Sequence, residues 1–164
     1  MKVLGLDPGT ATTGFGVVEG DGDDLRLVEY GAIITPANLP MPERLGLIFA
    51  RVTELFARHA VDALSIEKLF FNRNVTTALT VGQARGVAML AAHQAGVPVF
   101  EYTPLEVKQA LVGYGRATKD QIQQMVRMVL RLDHAPHPDD AADALANAIC
   151  HMQSAKMRDL IRNA

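Results

Sequence analysis

The sequence predicts an α/β fold built on a five-stranded mixed sheet flanked by helices. Three observations carry this. Three strand-like stretches joined by short turns occupy the chain up to Ile34. Helical and strand periods then alternate up to Tyr102, and only helical periods follow. Hydrophobic residues make up 49% of the 164, enough for a core without disorder. One domain over residues 1–164 is the expected count for this length.

Val3–Leu6, Thr13–Glu19 and Leu25–Ile34 are the first strands, and Gly20-Asp21-Gly22-Asp23 is a hairpin signal between the second and third. Pro42 to His59 is helical, with Leu45, Ile48, Phe49, Val52, Leu55 and Phe56 recurring at three- and four-residue spacing. Val61–Lys68 is the next strand. Asn74 can cap a helix to about Ala95, which Gly96 ends, and Val97–Tyr102 is the fifth strand. Thr103-Pro104-Leu105-Glu106 and Thr118-Lys119-Asp120-Gln121 both have the form of a capping box, opening helices to Gly113 and Leu132. His137-Pro138 opens a last helix that runs to the C-terminus.

Bulk properties narrow the setting. The chain starts directly on a strand, which leaves no room for a signal peptide. No apolar run reaches the ~18 residues of a membrane span. A single cysteine, Cys150, excludes an internal disulfide and fits a reducing, cytoplasmic location. The net charge of −2 argues at first against a nucleic-acid partner. However, Arg73, Arg85, Lys108, Arg116, Lys119, Arg127 and Arg131 concentrate in the later chain, and a basic face on a near-neutral protein can hold phosphates.

The chemistry lies in the carboxylates. Val3-Leu4-Gly5-Leu6-Asp7-Pro8-Gly9-Thr10 runs an apolar strand up to one acid and stops it with Pro-Gly. A second strand ends on Glu67, and the last helix starts with Asp139, Asp140 and Asp143. By strand alternation Asp7 shares a face with Val3 and Gly5, and Glu67 with Ala63 and Ser65. Rows of small residues let a helix pack closely over the sheet. The last helix, with Ala141, Ala142, Ala144, Ala146 and Ala148, suits that packing. Singly, each acid has an ordinary explanation as a turn, a solvated surface group or a helix-start residue. Brought together they would repel unless cations neutralise them. Oxygen-only donors favour Mg²⁺ or Mn²⁺ over zinc, and two such ions ~3.5–4 Å apart can serve in-line displacement at phosphorus. Spacing alone does not choose between Asp139 and Asp140, which lie four and three residues before Asp143.

Several motifs together resemble the RuvC family of Holliday-junction resolvases over essentially the whole chain. They are Leu4-Gly5-Leu6-Asp7-Pro8-Gly9-Thr10, Ile66-Glu67, Gly82-Gln83-Ala84-Arg85-Gly86, Val107-Lys108-Gln109-Ala110 and Asp140-Ala141-Ala142-Asp143-Ala144-Leu145-Ala146. The resemblance implies an RNase H-like fold and a homodimer that nicks two opposed strands of a four-way DNA junction in recombination and repair. It implies two Mg²⁺ or Mn²⁺ ions per active site and ends carrying 5′-phosphate and 3′-hydroxyl. Asp7, Glu67, Asp140 and Asp143 match the family's catalytic and metal-binding acids, which leaves Asp139 as a helix-start acid. Phe70 matches a junction-probing aromatic, with Phe71 expected to pack inward. Lys108 and Lys119 match basic positions facing DNA. Arg73 and Asn74, in the loop beside the acids, are further DNA-binding candidates. Arg85 either pairs with an acid or reaches phosphate. A branch-migration complex of RuvA and RuvB type is the implied protein partner.

Gly82 and Gly86 are one turn apart in a long helix, where each costs ~1 kcal/mol against Ala. Close approach of another element is the expected compensation, either the sheet beneath or the same helix of a second subunit. Two rival functions share part of the pattern. Actin-like and sugar-kinase ATPases also begin with a strand, an Asp and a Gly-Thr turn, but they need two related domains, and no second such segment occurs. A junction-binding protein without catalysis would need only the aromatic and basic residues, and four convergent acids would oppose its phosphate ligand.

Overall fold

The computed structural model describes residues 1–21, 24–69 and 75–162. Five strands and five helices occur among them: β1 (Lys2–Asp7), β2 (Thr12–Asp21), β3 (Asp24–Ile34), α1 (Met41–His59), β4 (Ala63–Glu67), α2 (Val75–Gln94), β5 (Val99–Tyr102), α3 (Pro104–Val112), α4 (Lys119–Val129) and α5 (Asp139–Arg162). The strands form one mixed sheet in the order β3-β2-β1-β4-β5. β1 pairs antiparallel with β2 and parallel with β4, and β4 pairs parallel with β5. This is the expected α/β architecture. The hairpin closes on the Asp21–Asp24 pair, with its tip outside the described residues.

Alternation along β1 divides the core in two. Val3 faces a cluster with Ala63, Leu145 and Ile149, while Leu4 and Leu6 face Ile48, Val52 and Ala88. Helices α3, α4 and α5 therefore cover one face of the sheet, and α1 and α2 cover the other. Both capping boxes form: Thr103 Oγ1 accepts from Glu106 N while Glu106 Oε2 accepts from Thr103 N, and Thr118 and Gln121 repeat the exchange. They fix where α3 and α4 begin, and so where Lys108 and Lys119 stand.

Small residues set the depth of α5. A methyl group built on Gly5 would lie 1.9 Å from the Ala144 carbonyl oxygen, and one on Gly14 would lie 1.9 Å from that of Asp140. Only glycine permits this approach. Ala141, Ala142, Ala144 and Ala148 are fully buried along the helix. Gly14 is the β2 residue opposite Asp7, so the contact that seats the start of α5 also lays it beside the end of β1.

The glycines of α2 behave differently. A methyl on Gly86 would meet nothing within 4 Å, and one on Gly82 would meet only the Leu69 side chain at 3.7 Å. Of the two expected partners for these glycines, the sheet beneath is therefore excluded. Val75, Leu79 and Leu90 are exposed on the same helix. No helix among the described residues is long and apolar enough to cross a membrane.

Candidate active site

Asp7 and Glu67 are the last residues of β1 and β4, two parallel neighbours in register at Leu6–Ile66. Both carboxylates therefore leave the same end of the sheet, on the face that α5 covers. Asp140 and Asp143 come from the first turns of α5, which lie over Gly14. The fold thus brings together the four acids that the sequence singled out. Asp139 is not among them. Its exposed carboxylate accepts from Gln123 Nε2 at 3.0 Å and pairs with Lys119 Nζ at 3.1 Å.

The electrostatics record this convergence. Burial pushes the Asp7 carboxyl up to about 7, and the charges of Asp143, Asp140 and Glu67 push in the same direction. Burial also raises Glu67 and Asp143. Lys108 opposes the rise at Glu67, and Lys119, with Nζ 3.5 Å from Asp143 Oδ2, opposes it at Asp143. At Asp143 burial outweighs the lysine, because the ammonium is shared with Asp139 and is half exposed.

Buried polar groups hold the scaffold under these acids. Asn147, one helical turn beyond Asp143, donates from Nδ2 to the Leu6 carbonyl at 2.9 Å. Ser65 Oγ donates to the Asn147 carbonyl at 2.6 Å. Leu6 adjoins Asp7, and Ser65 is two residues before Glu67 on the same face. The strand ends and α5 are therefore tied by bonds that water does not contest. Neither role was visible in the sequence. The available signal was a polar residue four positions after Asp143 within an alanine-rich, buried stretch.

Two clefts meet at Glu67. One, of about 340 Å³, is lined by Asp7, Glu67, Lys68 and Arg85, and the other, of about 210 Å³, by Glu67, Lys108, Lys119 and Asp143. Both lysines thus border the acids. Arg85 takes the acid-pairing alternative: it forms an ion pair with Glu101 on β5, and its Nε donates to the Glu67 carbonyl at 3.3 Å. It thereby supports the strand that carries Glu67 while still lining the cleft beside Asp7. Phe70, Phe71, Arg73 and Asn74 lie outside the described residues.

Four hard oxygen donors, three of them raised by burial, suit Mg²⁺ or Mn²⁺ by chemistry. Among the described residues, however, no three His, Cys, Asp or Glu side chains are already grouped as a cation cage. Lys119 contacts both Asp143 and Asp139, so one of the acids is shared with an ammonium.

A mixed five-stranded sheet with acids at two adjacent strand ends and at the start of a crossing helix defines an RNase H-like nuclease. The model of the family "Crossover junction endodeoxyribonuclease RuvC" matches residues 3–151. The crossover junction endodeoxyribonuclease RuvC of Rubrobacter xylanophilus is 61% identical over 94% of this chain and 87% of its own length. That of Brevibacillus brevis is 59% identical over 93% and 92%. The solved structure of T. thermophilus RuvC in complex with Holliday junction substrate superposes with a TM-score of 0.93 at 43% identity, covering 96% of both chains. The chain belongs to the RuvC family of crossover junction endodeoxyribonucleases.

Proposed function

We propose that this chain is a structure-specific endodeoxyribonuclease that resolves four-way DNA junctions by paired, symmetric nicks, in recombination and repair. The observation that carries the proposal is the state of Asp7: a carboxyl pushed up to about 7 by burial and by three other acids, at the open end of two parallel strands. Such a site is useful where cations and a phosphodiester meet. A binding-only role would have no use for it.

Cleavage depends on divalent cations. In our proposal these are Mg²⁺ or Mn²⁺, two per site, held by Asp7, Glu67, Asp140 and Asp143. Held there, such ions would supply charge neutralisation at the phosphate and an acidified water. Asp7, whose carboxyl feels the charges of the other three acids, would contribute to holding both ions. Glu67 would help hold one, and Asp140 with Asp143 would help hold the other and position the attacking water. Lys108 and Lys119 offer positive charge to the phosphates that enter the cleft they line. Phe70 is assigned to stack on an unpaired base, a contact typically worth ~1–3 kcal/mol, with Arg73 and Asn74 beside it on the DNA.

Paired nicks need two sites related by symmetry, and an isologous dimer provides them. The exposed apolar residues of α2 and the open surface at Gly86 support that helix as the interface. The whole chain acts as one nuclease domain, in the cytoplasm, with a branch-migration complex of RuvA and RuvB type as protein partner. The deciding experiment incubates an end-labelled four-way junction and a linear duplex of equal length with the protein, with and without divalent metal. Paired nicks on the junction alone, only with metal, are expected. Equal cutting of both substrates would overturn the assignment.

A further inference from the structure

The turn that follows Asp7 is held from the other face of the sheet. Thr35, 4% exposed, donates from Oγ1 to the Thr10 carbonyl at 2.5 Å and from its backbone N–H to the Ala11 carbonyl at 3.0 Å. Thr13 Oγ1 donates to the Gly9 carbonyl at 2.7 Å. Arg44, in the first turn of α1, donates from Nε to Thr35 Oγ1 at 2.8 Å. The hydroxyl has one proton, already given to Thr10, so it receives Arg44 on a lone pair and the direction of the relay is fixed.

Among the described residues the relay leaves the positive charge of Arg44 without a carboxylate. Arg26, Arg51, Arg58, Arg85 and Arg131 pair with carboxylates, whereas among the described residues Arg44, Arg116 and Arg127 do not, and of these three only Arg44 is held by the turn that follows Asp7. No carboxylate among the described residues stands within ion-pair distance of Arg44, although the residue is partly buried. Thr35 takes only one of five N–H donors, and the two terminal amino groups have no partner among the described residues. A guanidinium pinned at Nε with its other donors open is preorganised for bidentate capture of an oxyanion. Lys108 and Lys119 line the cleft that holds Glu67 and Asp143, and Arg44, bonded to Thr35 just after β3, stands at the same end of the sheet as Asp7.

We infer that Arg44 is a DNA-contact residue that binds a phosphodiester of the junction strand crossing the Gly9–Ala11 turn, and so fixes that strand beside Asp7. This rests on the nuclease function proposed above and adds a substrate contact to the same site.

The test is junction binding in chelator across a salt series. Arg44→Gln should weaken binding and lower the log–log salt slope by about 0.9, the value of one phosphate contact on B-DNA. Arg44→Lys, which keeps the charge, should retain most of the slope. Thr35→Val, which frees the guanidinium but leaves it charged, should lower melting temperature without lowering the slope. A wild-type slope in Arg44→Gln, with a melting temperature lowered as in Thr35→Val, would overturn the inference and make Arg44 an internal clamp only. Should Arg44→Gln not fold, the unaltered protein decides: junction DNA should protect Arg44 from an arginine-selective dicarbonyl, and equal labelling with and without DNA would overturn the inference. If the wild-type chain shows no preference for the junction, the nuclease proposal fails instead.

Discussion

Asn147 Nδ2 donates to the carbonyl oxygen of Leu6 at 2.9 Å, joining residues 141 positions apart in the chain. The bond ties α5, which carries Asp140 and Asp143, to the strand residue that precedes Asp7. Because both partners are buried, losing the donor removes one buried hydrogen bond, at ~0.5–1.5 kcal/mol, while the carbonyl stays within the β1 ladder. Asn147→Leu should therefore lower stability by that amount. It should also reduce single-turnover cleavage more than junction affinity at equal folded fraction, because it loosens the acids and touches no DNA contact. Wild-type cleavage by the folded variant would show that packing alone sets the geometry.

The glycines make opposite predictions. A methyl on Gly14 would run into the Asp140 and Ala141 backbone, which can yield only if α5 lifts. Gly14→Ala should cost ~1–3 kcal/mol and most of the cleavage. Gly86 faces open space in the single chain, so Gly86→Leu should leave the subunit folded and shift sedimentation from dimer to monomer. A wild-type chain that sediments as a monomer yet makes paired nicks would contradict the α2 interface.

The acid cluster should make stability depend on pH without divalent metal. Asp7 holds its proton up to about pH 7 when folded, against an ordinary value of 3.8. Between those values the folded chain binds more protons than the unfolded one, so stability falls as pH rises through that window. Glu67 and Asp143, also raised, add slopes of the same sign. Asp7→Asn should flatten the dependence and melt above wild type at pH 8 in chelator, and added Mg²⁺ should narrow the gap. A variant that melts below wild type throughout would mean that Asp7 is not held under repulsion.

Asp139 and Asp140 both act on Asp143, but only Asp140 acts on Asp7. Asp140 adds its charge to Asp7, whereas Lys119 and Gln123 hold Asp139 below the usual carboxylate range at the surface. Asp140→Asn should lose nearly all cleavage at saturating Mg²⁺, and Asp139→Asn should keep most of it. The reverse result would place the wrong face of α5 toward the strands.

Much of this was legible in the sequence, and the rest was hidden for physical reasons. Periodicity placed every strand and helix within one or two residues at most ends, and both capping boxes formed because a cap is a local device. Strand alternation put Asp7 with Gly5 and Glu67 with Ser65 on the face of α5, because a period of two leaves no freedom. The Asn147–Leu6 bond and the Lys119 bridge between Asp139 and Asp143 were not visible. They depend on how deeply α5 and α4 sit, which Gly5 and Gly14 set through contacts distant in sequence. Arg85 was ambiguous for the same reason: its partner Glu101 lies on β5, beside the strand that ends in Glu67.

In the proposed function Asp7 serves chemistry and not DNA affinity. The most direct measurement compares Asp7→Asn with wild type on one labelled four-way junction, taking affinity in chelator and single-turnover cleavage in Mg²⁺. Asp7→Asn should bind at or slightly above wild-type affinity, since a negative charge is removed next to phosphate, and should show no detectable nicking. Nicking at a rate close to wild type would contradict it.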